Sequence, residues 1–177
     1  AAAFLFPAAG ILVEKIFSMD AAWAFTVAAL LWVYLGIQKG QVTQDGLTGL
    51  NNRRRLDQYM WELDERSGER ETCCYLLMDV NKFKKVNDTY GHVTGDEVLR
   101  LVAEQLKRTF GNMQAFLARY GGDEFVVIVK GKTQDEMDVI IHQTQENVNA
   151  IAWGVDTPWQ LSISIGCAMR GEQGKQK

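Results

Sequence analysis

A pair of glycines followed by two carboxylates is the feature that most constrains the fold of this chain. The residues at 119–125 read RYGGDEF, and apolar runs lie on either side, at 115–118 and 125–129. Apolar runs separated by a glycine-rich turn predict a β-hairpin. Asp123 and Glu124 would then lie at a tight, exposed turn, where glycine lets a ligand approach the backbone closely. Adjacent carboxylates at such a turn favour a hard cation such as Mg²⁺, which prefers oxygen ligands.

A buried strand ending in a single carboxylate is predicted upstream of this hairpin. The apolar run at 73–78 has the length of a strand, and Asp79 follows at its end. The end of a strand is a common place for a ligand-binding residue. Asp79 is therefore a candidate ligand-binding residue, in addition to the two carboxylates of the hairpin.

Apolar residues recur at helical spacing in three further segments, at 56–63, 98–106 and 137–151. Capping boxes that begin at Thr94 and Thr133 are predicted to start the second and third of these helices. A half-buried strand is predicted at the end of the domain, over 159–168. The order strand, helix, hairpin, helix, strand predicts an α+β fold with an antiparallel sheet and helices on one side.

Three blocks of this sequence resemble the signatures of one known family. Residues 45–54 read DGLTGLNNRR, residues 78–96 read MDVNKFKKVNDTYGHVTGD, and the third block is the RYGGDEF stretch. At this spacing they resemble the GGDEF family, the diguanylate cyclases. The resemblance covers about 45–168 and implies a palm-like α+β domain, with an antiparallel-rich central sheet flanked by helices. The family's final helix, with its Ala-Asp-x-Ala-Leu-Tyr-x-Ala-Lys pattern, has no counterpart in residues 170–177.

The resemblance implies a cation site and a set of catalytic residues. Asp79, the carbonyl of Val80 and Asp123 would hold Mg²⁺, with Mn²⁺ as an alternative. Asp123 is the expected proton acceptor, and Glu124 is the expected supporting ligand. Lys84 would stabilise the phosphate charge that develops in the transition state.

The resemblance also implies a guanine site. Asp96 would accept hydrogen bonds from the guanine N1–H and N2–H groups, Asn87 would pair with a purine edge, and His92 would assist. The predicted helix start at 94 puts Asp96 in the first turn and Asn87 in a loop. The family often has a second Asp where Asn81 stands, and the neutral amide weakens the case for a metal role at that position.

Residues 1–40 are predicted to form a membrane segment. The uncharged run at 21–38 would rise roughly 27 Å as a helix, close to the thickness of a hydrocarbon core, and aromatic residues lie near both ends. The run at 1–13 would be the tail of a preceding span. Basic residues after the main run predict a bacterial inner-membrane protein with its catalytic domain in the cytoplasm. A buried core helix is the alternative interpretation.

The expected organisation has three parts: a membrane segment at 1–40, a GGDEF domain without its last helix at 41–170, and a disordered tail at 171–177. The expected function is condensation of two GTP into cyclic di-GMP and two pyrophosphates. Each domain would hold one GTP, so a two-fold homodimer is expected. A catalytically silent module that binds GTP and regulates a partner is one alternative. A cyclase that uses ATP is another, although the carboxylate of Asp96 would repel N1 of adenine.

Charge and cysteine content exclude two further classes of function. The formal net charge is -3, so no nucleic-acid partner is expected. Cys73, Cys74 and Cys167 all lie in apolar runs that resemble strands. Buried, reduced thiols are therefore expected, in preference to a disulfide or a metal site.

Overall fold

The computed structural model describes residues 11, 22–39, 43–65, 72–153 and 160–170 of this chain. The chain divides into two compact units, Ala1–Val42 and Thr43–Lys177. The tail predicted at 171–177 lies outside the described residues, and the predicted domain limits stay a prediction.

In the first unit, helix α1 spans Ala22–Lys39 and has 18 residues. None of the described helices combines the length and the apolar character that a bilayer span requires. The transmembrane span predicted at 21–38 is therefore not supported.

The second unit contains five strands and four helices among its described residues. In chain order they are β1 (Asn51–Asn52), α2 (Arg53–Glu65), β2 (Cys73–Val80), α3 (Phe83–Tyr90), α4 (His92–Phe110), β3 (Ala115–Gly121), β4 (Glu124–Lys130), α5 (Gln134–Asn149) and β5 (Ile163–Arg170).

The strands form one sheet in the order β1-β3-β4-β2-β5. The β3–β4, β4–β2 and β2–β5 pairs are antiparallel, and the short β1–β3 pair is parallel. The predicted hairpin is confirmed. Because β2 lies between β4 and β5, the strand that carries Asp79 is hydrogen-bonded on both sides.

Helices cover both faces of this sheet. The alternating pattern of β2 sends Leu76 and Met78 into a core shared with α4 and α5. On the opposite face, α2 packs against β3, and the rings of Tyr59 and Phe116 stack 4.1 Å apart. The prediction of helices on one side is therefore wrong, because the apolar stripe of α2 buries Leu56 against the second face.

The boundary between α3 and α4 differs from the sequence prediction. Helix α4 begins at His92, two residues before the predicted cap, because Gly91 takes a φ of 84° and turns the chain sharply. The hydroxyl of Thr94 donates to the Tyr90 carbonyl at 3.0 Å and does not cap the helix. Asp96 therefore lies in the second turn of α4. The predicted loop position of Asn87 is also wrong, because this residue lies in α3.

The three cysteines, all among the described residues, form no disulfide, but they are not all buried. Cys73 and Cys74 are buried in β2, whereas Cys167 is exposed on β5. The Sγ atoms of Cys74 and Cys167 lie 3.2 Å apart across the two strands. The prediction of a buried Cys167 is wrong because β5 is the last strand of the described sheet and only β2 borders it.

Candidate active site

The ends of two neighbouring strands bring the predicted cation ligands together. Asp79, the penultimate residue of β2, lies directly opposite Glu124, the first residue of β4. The backbone N–H of Val80 donates to the carbonyl oxygen of Asp123 at 3.2 Å. Four of the residues singled out in the sequence therefore lie at one corner of the sheet.

The hairpin turn itself depends on glycine. Gly122 has a φ of 52°, in the left-handed region, and a register shift between Arg119 and Gly121 precedes the turn. A residue with a Cβ would strain this backbone. The glycine thus allows Asp123 to follow directly after the turn and to approach the end of β2.

The two aspartates at this corner influence each other electrostatically. Partial burial, and then the negative charge of Asp123, raise the pKa of Asp79 above its ordinary value. Two carboxylates and a backbone carbonyl form an oxygen donor set of the kind that hard divalent cations prefer. A cation between Asp79 and Asp123 would also relieve their repulsion. The donor chemistry therefore fits a divalent cation.

The number of side-chain ligands is small. Within the described residues, no group of three or more His, Cys, Asp or Glu side chains is arranged to hold a metal ion. A cation here would be bound by Asp79, Asp123 and the Val80 carbonyl together with oxygen atoms of the substrate. Many Mg²⁺ sites that act on nucleotides are of this type, with one or two carboxylates completed by phosphate oxygens.

Arg119 fastens the hairpin turn to the start of the domain. Its Nε and Nη2 atoms donate to the Gly122 carbonyl at 3.0 and 2.7 Å. Its Nη1 atom donates to the carboxylate of Asp45 at 3.2 and 3.3 Å. Asp45 also accepts from the backbone and the hydroxyl of Thr48, at 2.9 and 2.7 Å. The two blocks that carry the family resemblance at 45–54 and 119–125 are therefore in direct contact.

The proposed guanine-reading residues gather near the junction of α3 and α4. Asn87 is half-buried on α3, and its side chain lies against Gly95 of α4, so closely that an added Cβ on Gly95 would collide with Asn87 Oδ1. Asp96 follows Gly95 and is exposed. The fold therefore holds the Asn87 amide beside the helical turn that carries Asp96.

Lys84 and His92 make no polar contact with the carboxylates in the described residues. Lys84 is exposed in the first turn of α3, and His92 is exposed at the start of α4. Within the described part of the chain, no hydrogen bond or ion pair joins either residue to Asp79 or Asp123. Their assigned roles stay predictions.

Three structural features of the site escaped the sequence analysis. They are the Asp45–Arg119 pair, the fit of Gly95 against Asn87, and the hydrogen bonds between Asn81 and two serines at the start of β5, one just before the strand and one within it. The glycine could have been suspected, since a glycine inside a helix costs stability and calls for a packing reason. The other two join residues far apart in sequence, and no local pattern marks them.

The sequence of residues 42–177 matches the family model described as "Diguanylate cyclase, GGDEF domain". This chain belongs to the GGDEF family. The match covers the whole of the second unit, including the corner with Asp79 and Asp123. The predicted resemblance is confirmed.

Curated GGDEF relatives include two proteins of Escherichia coli K12. "Probable diguanylate cyclase DgcC" is 32% identical over 127 residues, which cover 71% of this chain and 34% of the relative. "Diguanylate cyclase DosC" is 34% identical over 140 residues, which cover 75% of this chain and 29% of the relative. The chain thus spans about a third of the length of the curated relatives it matches.

A solved GGDEF structure shares the fold. The GGDEF domain of DgcB from Caulobacter crescentus, crystallised in complex with c-di-GMP, is 31% identical, with a TM-score of 0.67. The likeness covers 73% of this chain and 78% of the DgcB chain. The second unit therefore has the GGDEF α+β fold, with a mixed five-stranded sheet and surrounding helices.

Proposed function

We propose that this chain carries the catalytic domain of a diguanylate cyclase, which condenses two GTP into cyclic di-GMP and two pyrophosphates. The observation that carries the proposal is the approach of Asp79 and Asp123 at one corner of the sheet. Family membership and relatives named as diguanylate cyclases support it.

Asp79, the Val80 carbonyl and Asp123 are the proposed ligands of a divalent cation, Mg²⁺ or Mn²⁺. When bound, such a cation polarises the α-phosphate and lowers the pKa of the attacking 3′-hydroxyl. Asp123 is the proposed proton acceptor, and Glu124 supports the ligand set from the start of β4. Lys84 would offset the charge that develops on the phosphates.

Asn87 and Asp96 are proposed to select guanine, with assistance from His92. A carboxylate can accept from both N1–H and N2–H of guanine, whereas adenine offers a lone pair at N1. The contact between Asn87 and Gly95 supports this role, because it fixes the amide next to Asp96. GTP is therefore the proposed substrate, in preference to ATP.

Turnover would require two copies of the domain. Each domain would bind one GTP, and the 3′-hydroxyl of one nucleotide must attack the α-phosphate of the other. A two-fold homodimer places two such sites face to face.

We propose that the domain works in the bacterial cytoplasm. Attachment to the inner membrane stays a prediction from the sequence and is not part of the proposal, because no described helix fits a span.

The decisive experiment is product formation from GTP and Mg²⁺ by the full chain, followed by chromatography of cyclic di-GMP. Asp123→Ala should lower the rate by roughly 100-fold or more, the usual effect of losing a group that stabilises the transition state. Asp57→Ala is the matched control, because Asp57 is an exposed carboxylate on α2. Its rate should equal that of the native chain.

The result separates the proposal from its main alternative. If the native chain folds and binds GTP but makes no cyclic di-GMP, the cyclase assignment fails and a silent GTP-binding module takes its place. If cyclic di-GMP forms equally well with Asp123→Ala, the assigned site is wrong.

A further inference from the structure

Asn81, which follows the proposed ligands of β2, forms a compact hydrogen-bond network with Ser162, the residue before β5, and with Ser164 of β5. Its backbone N–H donates to the Ser162 carbonyl at 2.9 Å, and its Nδ2 atom donates to the Ser162 hydroxyl at 3.0 Å. Its Oδ1 atom accepts from the Ser164 hydroxyl at 2.7 Å. Ser164 is also the residue of β5 that lies opposite Asp79.

These hydrogen bonds lie where the backbone turns abruptly between β2 and α3. Strand β2 ends at Val80, and Lys82 takes a φ of 58° before α3 begins. A non-glycine residue in the left-handed region is strained, and it persists where the surrounding contacts fix it. The bonds from Asn81 to β5 fix the first half of this turn.

The end of β2 is therefore held from two sides. On the hairpin side, the Val80 N–H donates to the Asp123 carbonyl at 3.2 Å. On the other side, the bonds made by Asn81 join the same segment to Ser162 and Ser164. Loss of the Asn81 bonds would release the end of β2 on the β5 side, next to Asp79 and the Val80 carbonyl.

We propose that Asn81 is a positioning residue, which acts through Ser162 and Ser164 to hold Asp79 and the Val80 carbonyl in the geometry for cation binding. The inference rests on the proposed function. The proposal gives Asn81 no role as a ligand, because its Oδ1 atom is oriented by the Ser164 hydroxyl and its Nδ2 group donates to Ser162. Partners that orient metal ligands in this way typically change metal affinity 10- to 100-fold when they are removed.

The test measures cation affinity directly. The full chain is titrated with Mn²⁺ in the presence of a GTP analogue with a methylene bridge between the α- and β-phosphates, and free Mn²⁺ is read by electron paramagnetic resonance. Asn81→Leu should weaken Mn²⁺ binding about tenfold. Ser164→Ala, an exposed change with little risk to folding, should weaken it in the same direction. Asn112→Leu, at an exposed asparagine after α4, should leave it unchanged.

The double variant identifies the route of the effect. If Asn81 acts through Ser164, adding Ser164→Ala to Asn81→Leu should produce no further loss, because the bond is already absent. Native Mn²⁺ affinity in both single variants, or full additivity in the double variant, would overturn the inference. A native chain that binds neither the analogue nor Mn²⁺ would instead overturn the proposed function.

Discussion

The carboxylate of Asp45 accepts a hydrogen bond from Arg119 at 3.2 Å, across 74 positions of sequence. The same guanidinium donates to the Gly122 carbonyl, one residue before Asp123. The side chains of Arg119 and Asp45 are only 15% and 22% exposed, so water and salt screen this pair less than an ordinary surface ion pair. The first block of the domain thereby supports the turn that carries a proposed catalytic carboxylate.

Asp45→Asn should lower the free energy of unfolding by about 1.5–3 kcal/mol at pH 7, the range expected for hydrogen bonds to a charged group. Burial alone would raise the pKa of Asp45, but the hydrogen bonds from Thr48 and Arg119 outweigh it and leave the pKa below 3.8. A carboxyl group whose pKa is lower in the folded state stabilises the protein above its unfolded pKa. The difference between the two proteins should therefore shrink as pH falls below 3.8.

Urea unfolding from pH 7 to pH 3 would measure this difference. Asp57→Asn, at an exposed position of α2, serves as the control and should change stability little at any pH. If Asp45→Asn lowers the free energy of unfolding by the same amount at every pH, the charge of Asp45 does not contribute to stability.

Gly95→Ala should weaken GTP binding about tenfold, the cost of roughly one hydrogen bond. The added methyl group would collide with Asn87 Oδ1 and push the amide away from its position beside Asp96. Isothermal titration with a non-reacting GTP analogue measures the loss. Gly46→Ala is the matched control, since a Cβ at Gly46 meets nothing within 4 Å. Equal affinities for the two variants would show that Asn87 does not read the base.

Asp79→Asn should abolish cation binding and yet slightly stabilise the metal-free protein at neutral pH. Burial and the charge of Asp123 raise the pKa of Asp79, so its ionised form is disfavoured in the folded state and costs stability as pH rises through that pKa. The gain should stay within about 1 kcal/mol, because the burial of this carboxylate is slight and the surrounding solvent screens it. Thermal unfolding in EDTA measures it, and a variant less stable than the native chain would contradict the expectation.

Cys167 should be alkylated by iodoacetamide well before Cys73 and Cys74. Cys167 is exposed, whereas the other two thiols are buried. Burial, and then the hydrogen bond with Cys167, raise the pKa of Cys74 to about 12, so little thiolate forms there. Mass spectrometry of peptides after brief labelling would give the order, and Cys167→Ser should remove the fast-reacting site. Early labelling of Cys74 would indicate that β5 opens away from β2.

Sequence patterns predicted those elements that depend on interactions between residues close together in the chain. The Gly-Gly turn produced the expected hairpin, and the capping box at Thr133 is present, with the Thr133 N–H donating to Glu136 at 2.9 Å. The box at Thr94 failed, although its residues fit the same pattern. There α4 begins at His92, directly after Gly91 with its positive φ. The Thr94 hydroxyl donates to the Tyr90 carbonyl and does not cap the helix.

Contacts between segments far apart in the chain could not be predicted from the sequence. The bond between Ser164 and Asn81 joins residues 83 positions apart, and its existence depends on β5 pairing with β2. The neutral Asn81 was noticed only as a departure from the family pattern. Its two serine partners explain why an amide is useful there, since it can donate to one hydroxyl and accept from the other.

The position of β2 in the sheet has a consequence for motion at the site. Two ladders restrain a strand that is paired on both sides, so the backbone of Asp79 should move less than the backbone of the hairpin turn. Asp123 lies in a two-residue turn, and within the described residues the Val80 N–H ties it to β2. We therefore expect any change in the distance between the two carboxylates to come from the hairpin turn, within the limits that the Arg119 bonds to Gly122 and Asp45 allow.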